Sequence, residues 1–132
     1  MSARSGASTA GDRAAPSTRP LVFHPRAAAS TLERRLRAAV RGDVLFDAAS
    51  RGRYATDASH YQITPVGVVA PRSIEEADRA IAIARAEKVP VLPRGGGTSQ
   101  CGQTVGPSLV VDCSKYLNRI LDLDVAGRRV AV

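Results

Sequence analysis

Between Val66 and Gly97 the apolar residues of this chain change their period twice, and that alternation constrains its fold more than any other feature. Val66-Gly67-Val68-Val69-Ala70 is a short apolar run closed by Pro71. A run of that length without polar alternation suits a strand covered on both faces. Ser73 follows, with Glu76 three residues on, the spacing of a capping box at a helix start. Ile74, Ala77, Ile81 and Ala84 recur at i, i+3, i+7 and i+10, which predicts a helix to about Lys88 with those four on its buried face. Glu75 and Glu76 in the first turn and Lys88 near the end carry the signs that the helix dipole favours. Val89 to Leu92 is a second apolar run. The three elements predict a strand–helix–strand unit with parallel strands and a right-handed crossover.

The second run leads into Pro93-Arg94-Gly95-Gly96-Gly97-Thr98-Ser99, continuing through Gly106. A diphosphate is anionic and needs several donors at short range. Backbone N–H groups supply them where the chain comes close and takes unusual φ angles, and glycine permits both. On that reasoning Gly95, Gly96 and Gly97 offer main-chain donors, Thr98 and Ser99 add hydroxyls, Gly102 allows another close approach, Gln103 offers its amide and Arg94 a positive charge. The bland alternative is a loop whose glycines only make a tight turn. No Gly-Lys-Ser/Thr follows at the spacing of a P-loop. The Rossmann fingerprint is also absent, because it joins a first strand to its helix and this loop follows a second strand.

Beyond the loop, Leu109-Val110-Val111-Asp112 reads as a third strand. Ile120 to Val125, a turn at Ala126-Gly127, and Arg129 to Val132 read as a hairpin. An edge strand at the very end of a chain leaves backbone groups unpaired, so the expectation is a fragment of something longer. Upstream, Thr31 is a candidate cap for a helix carrying Leu32, Leu36, Ala39 and Val40, with Arg34, Arg35, Arg37 and Arg41 solvated and Gly42 as its stop. Asp43 to Tyr61 reads mainly as loop, with Val44-Leu45-Phe46 touching the core. Met1 to Pro20, rich in Ser, Ala and Arg, reads as a disordered tail.

The net charge of +7 raises the question of nucleic acid. Residues 1–60 hold ten Arg against five acids, and residues 61–132 hold nine Lys or Arg against seven. The excess is N-terminal arginine without interleaved aromatics or a recognition motif, so no nucleic-acid partner is expected. Cys101 and Cys113 form no CxxC pair, which argues for reduced thiols and against a metal site. A helix start near Cys101 would lower its pKa, although filling space is the plainer role. No run approaches the ~18 apolar residues of a membrane span. His60 and Tyr61 are loop candidates for approaching a ligand. His24 has no evident role, and Asp112 is a cap or turn residue before it is a ligand. No acid–base pair or Ser/His/Asp set is present.

Val68-Val69-Ala70-Pro71-Arg72-Ser73-Ile74-Glu75-Glu76, then Val91-Leu92-Pro93-Arg94-Gly95-Gly96-Gly97-Thr98-Ser99, then Gly102-Gln103, resembles the start of the FAD-binding domain of the vanillyl-alcohol oxidase and p-cresol methylhydroxylase type. Tyr54-Ala55-Thr56-Asp57-Ala58-Ser59 ahead of Pro65-Val66-Gly67-Val68-Val69 is similar to FAD-linked oxidases and to D-lactate or glycolate dehydrogenases, including long members with an iron–sulfur domain. The likeness covers residues 43–132 and is most specific at the glycine loop and the strand–helix before it.

It implies an α+β fold: a small β-α-β parallel half of that FAD-binding domain plus the start of its antiparallel half, preceded by a helix and a disordered tail. The implied units are a tail at 1–22, a helix and loop at 23–60, and a partial FAD-binding domain at 61–132. The likeness implies that Arg94, Gly95, Gly96, Gly97, Thr98, Ser99, Gly102 and Gln103 line the FAD diphosphate. Some relatives attach FAD through a histidine in this loop. Thr98 stands at that position, which implies non-covalent FAD.

The implied parent oxidises a 2-hydroxy acid such as D-lactate or glycolate. Any iron–sulfur cluster would lie beyond this chain, and the electron acceptor is not specified. The expected location is the cytoplasm, with the inner face of the membrane as the alternative. With half the cleft absent, the chain alone is expected to bind FAD weakly or not at all. The competing reading is a stand-alone nucleotide-binding or interaction module without catalysis.

Overall fold

The computed structural model describes residues 26–132, so the expected tail at 1–22 and His24 lie outside the described residues. In chain order the elements are α1 (Arg26–Ala39), β1 (Asp43–Leu45), α2 (Ala48–Arg53), β2 (Gly67–Ala70), α3 (Ile74–Ala86), β3 (Val91–Arg94), β4 (Leu109–Asp112), β5 (Asp122–Asp124) and β6 (Arg129–Ala131). The first four strands form one sheet in the order β1-β2-β4-β3. β4 runs parallel to both β2 and β3, and β1 is antiparallel to β2. β5 and β6 form a separate antiparallel pair. The architecture is the expected α+β mixture, with β4 inserted between the two strands of the strand–helix–strand unit.

The central strands explain their own composition. Every residue of β2 and β4 is buried, which is why both read as continuous apolar runs rather than alternating ones. Leu32, Leu36 and Val40 from the α1 side and Ala80 and Ala84 of α3 pack with Val69 and Leu109 in one cluster.

The structure corrects the sequence reading in several places, each for a local reason. α1 begins at Arg26, so Thr31 lies inside it and caps nothing. The stretch read mainly as loop contains β1 and α2. β1 is only three residues long and exists by pairing Asp43, Val44 and Leu45 with Ala70, Val69 and Val68. Gly42 admits that pairing, since a Cβ there would collide with the Ala70 carbonyl. α2 is capped by Asp47, whose carboxylate accepts the Ser50 N–H at 2.8 Å.

α3 buries Glu76, Ala80 and Ala84, whereas Ile74 and Ile81 are 62% and 43% exposed. The small alanines face α1, and the isoleucines point away from it. Half of the capping box forms: Ser73 Oγ accepts the Glu76 N–H at 3.3 Å. The Glu76 carboxylate turns instead to the N–H groups of Arg41, Gly42 and Arg72.

The end of α3 also shifts. The helix stops at Ala86 and Lys88 takes φ 56°. The Val89 N–H donates to Ala84 O at 2.9 Å and the Lys88 N–H to Arg85 O at 3.1 Å, which is a Schellman motif. Val89 therefore belongs to the helix cap, and the second strand is Val91–Arg94 rather than Val89–Leu92. A glycine suits the left-handed position better than lysine. Lys88→Gly is expected to raise stability by about 0.5–1 kcal/mol, read from the urea midpoint; an unchanged or lower midpoint contradicts this. The hairpin turn likewise spans Val125–Arg128 rather than two residues, with Arg128 at φ 52°.

Candidate cofactor site

The glycine loop leaves the carboxyl end of β3 beside the carboxyl end of β4, where the backbone pairs Arg94 with Asp112. In open parallel sheets this end is where ligands bind. Among the described residues, no acceptor meets the N–H of Gly95, Gly96, Gly97 or Thr98. A Cβ added at Gly95 would touch nothing within 4 Å, and one at Gly96 only Thr98 Cγ2 at 3.6 Å. These glycines are therefore not demanded by crowding inside the chain. Both residues are exposed and their main-chain donors are uncommitted, and that donor set suits an anionic oxygen cluster.

Gly97 is different. Its φ of 68° excludes most side chains, and a Cβ there would stand 2.5 Å from the Arg94 guanidinium. Arg94 itself turns back under the loop. Its Nη2 donates to Thr56 O at 2.8 Å, and Nη1 donates to Thr104 O at 3.2 Å and Tyr54 O at 3.4 Å. Thr98 is exposed. Ser99 Oγ donates to the Gln103 side-chain oxygen and accepts the Gln103 N–H at 3.2 Å, closing a small ring within the loop. Gly102, at φ 76°, lets the Tyr61 ring come close, where a Cβ would stand 2.6 Å from Tyr61 Cδ2. His60 stacks on Tyr61 with centroids 4.2 Å apart. Arg94 thus closes β3, and the other seven expected site residues lie in the loop that follows it.

A strap from Tyr54 to Tyr61 runs beside that loop, and local pattern reading missed its part in the site. Besides the Arg94 bonds, the Ala58 N–H donates to Gly97 O at 3.0 Å. Asp57 Oδ2 accepts the Thr104 hydroxyl at 2.9 Å, and Oδ1 accepts the Ser59 N–H at 2.9 Å. The bonds from Ser59 foremost, with those from Thr104, hold the Asp57 carboxyl down to about 2. The one signal available was the Tyr54–Ser59 stretch within the family likeness, because the partners lie 38 to 47 residues apart.

The Arg94 guanidinium also lies 5.3 Å from the centroid of the Tyr54 ring. The Tyr54 hydroxyl donates to Asp112 Oδ2 at 2.6 Å, and Asp112 Oδ1 accepts the Ser114 N–H at 2.8 Å. Burial, then the hydrogen bond to Asp112, pushes the Tyr54 phenol up to about 12. Its folded value stands above its unfolded one, so its contribution is complete below pH 10 and is lost as pH rises through about 12. Absorbance titration should show a late tyrosine phase, and Tyr54→Phe should remove it. A late phase that survives Tyr54→Phe would contradict the Tyr54–Asp112 pair.

Cys101 is exposed and Cys113 half-buried, and neither is in a disulfide. No helix begins at Cys101. Burial, then the charge of Asp112, pushes the Cys113 thiol up. A separate cleft of about 440 Å³ lies between the start of α3 and the Cys113–Leu121 segment, and includes none of the loop glycines. Among the described residues no His, Cys, Asp or Glu cluster could hold a metal ion. None of the described helices is long and apolar enough to cross a membrane.

The FAD binding domain family matches residues 65–132, from the strand before α3 through the glycine loop to the hairpin. The chain belongs to the FAD binding domain family. The D-2-hydroxyglutarate dehydrogenase of Pseudomonas putida is 38% identical over 95 residues, which are 70% of this chain and 9% of that protein. The glycolate oxidase subunit GlcD of Bacillus subtilis is 39% identical over 89 residues, 64% of this chain and 19% of its own length. The chain therefore spans less than a fifth of either relative.

Among solved structures, alkyldihydroxyacetonephosphate synthase superposes with a TM-score of 0.62 at 23% identity, over 72% of this chain and 20% of that one. p-Cresol methylhydroxylase does so with a TM-score of 0.57 at 16% identity, over 75% and 21%. At those identities the likeness carries the fold, and it is the fold expected from the sequence. FAD is the cofactor that goes with this domain family.

Proposed function

We propose that this FAD binding domain holds FAD non-covalently and serves a flavin-dependent oxidoreductase acting on a 2-hydroxy acid. The carrying observation is the row of uncommitted N–H groups from Gly95 to Thr98 at the carboxyl end of β3. In this reading Gly95, Gly96, Gly97 and Thr98 meet the diphosphate directly. Ser99, Gly102 and Gln103 shape the far side of the loop, and Arg94 contributes from beneath it. FAD, when bound, supplies the hydride chemistry, and the chain's own residues bind and orient it.

The substrate class is supported by relatives named for D-2-hydroxyglutarate, glycolate and D-lactate. Thr98 has no nucleophilic nitrogen for a flavin bond. Acid precipitation of the FAD-loaded protein should therefore leave the flavin in the supernatant, and a yellow pellet would contradict non-covalent attachment. In the longer protein that carries this domain, anaerobic mixing with D-lactate, glycolate or D-2-hydroxyglutarate should bleach the flavin band with at least one of them. A band untouched by all three would overturn the substrate class.

A further inference from the structure

The glycine loop presents its N–H groups only if something else fixes its backbone, because a donor used to hold the loop is lost to a ligand. Its internal bonding is limited to the Ser99–Gln103 ring. The remaining anchors come from outside and use carbonyls and side chains. Arg94 joins Thr104 O to Tyr54 O and Thr56 O, tying both ends of the loop to the strap. Gly97 O, at the apex, takes the Ala58 N–H. Asp57 takes the Thr104 hydroxyl at 2.9 Å and the Thr104 N–H at 3.4 Å. Start, apex and end are thus held by one segment, and none of these bonds consumes an N–H between Gly95 and Thr98.

We infer that Asp57, Thr104 and Arg94 are positioning residues that pre-form the 95–104 loop for a diphosphate, with Asp57 favouring the anion although it is itself negative. The inference rests on the cofactor reading above. Preorganisation of this kind adds affinity by removing the ordering cost from the binding step.

The sign of one substitution separates this role from a direct electrostatic one. Near a bound anion, removing the Asp57 charge by Asp57→Asn should tighten binding on Coulomb grounds alone. The positioning role predicts the opposite, because an amide nitrogen cannot accept the Thr104 N–H. The test is titration of the isotope-labelled chain with FAD, followed on loop amide signals, together with hydrogen exchange at Ala58. Thr104→Val and Asp57→Asn should each weaken FAD by about tenfold, the worth of one well-placed hydrogen bond. Thr104→Ser, which keeps the hydroxyl, should bind as the parent does.

Ala58 exchange should quicken in Thr104→Val and Asp57→Asn, while the amides of β2 and β4 hold their protection. FAD binding by Asp57→Asn that equals or exceeds the parent's overturns the inference. Unchanged Ala58 exchange in both variants also overturns it. Loop amides that ignore FAD at every concentration in the longer protein that carries this domain overturn the cofactor reading instead. Ala58 exchange then still decides whether the strap holds the loop.

Discussion

Glu76→Ala is expected to cost about 2–3 kcal/mol of folding stability, since it strips partners from three main-chain donors at once. The Glu76 residue is 5% exposed. Its Oε1 accepts the Arg41 N–H at 3.1 Å, and Oε2 accepts those of Gly42 at 3.1 Å and Arg72 at 3.0 Å. One carboxylate thereby joins the turn after α1 and the approach to β1 to the start of α3, where the helix dipole also favours an anion. Glu76→Gln keeps the shape but turns an NH2 group toward N–H donors, so it should cost less than Glu76→Ala and still be destabilising.

The bond from Arg72 first, then those from Arg41 and Gly42, holds the Glu76 carboxyl below its ordinary 4.5 against the opposing effect of burial. A depressed folded value means the contribution is present above pH 4.5 and is lost as pH falls through the folded value. Urea unfolding at neutral and acid pH measures this. The gap between parent and Glu76→Ala should narrow in acid, and a gap that stays constant would contradict the account.

The same residue shows how far local pattern carries. The Ser73–Glu76 spacing located the start of α3, and the two apolar runs located β2 and β4, because strands buried on both faces advertise themselves by composition. The buried side of α3 agrees with the pattern at Ala84 but not at Ile74 and Ile81. Isoleucine attracts the assignment of a core face, yet α1 comes close where Ala80 and Ala84 leave room. Partnership is a tertiary fact that the period of a helix does not encode.

β1 escaped for a related reason: three residues following a glycine carry no strand signal until Ala70 is beside them. At the site, the glycines announced themselves, since bare backbone is a property of the residue type. The strap was visible only as part of a family likeness. Arg94, Asp57 and Tyr54 each have a partner 38 to 58 residues away, and no local spacing records that.

The other large effect falls on binding and leaves the fold alone. Replacing Gly95 and Gly96 together by alanine adds a methyl group beside the uncommitted N–H groups without crowding the rest of the chain, because the added carbons meet nothing closer than 3.6 Å beyond their chain neighbours. Neither glycine has a left-handed φ. Each substitution also reduces the freedom of the unfolded chain, so stability should hold or rise by about 0.4–1 kcal/mol per site. Affinity for FAD should nevertheless fall by about tenfold or more, since the diphosphate needs the backbone at close range. A loop whose glycines only made a turn would show no such opposition between stability and binding.

The most direct measurement is therefore an amide-resolved FAD titration of the parent and of the Gly95→Ala/Gly96→Ala variant, with thermal unfolding of both. The account predicts that the largest shifts in the parent fall on Gly95 to Thr98, and that they weaken sharply in a variant that unfolds no earlier. Shifts centred elsewhere, or a variant that binds FAD as the parent does, would contradict it.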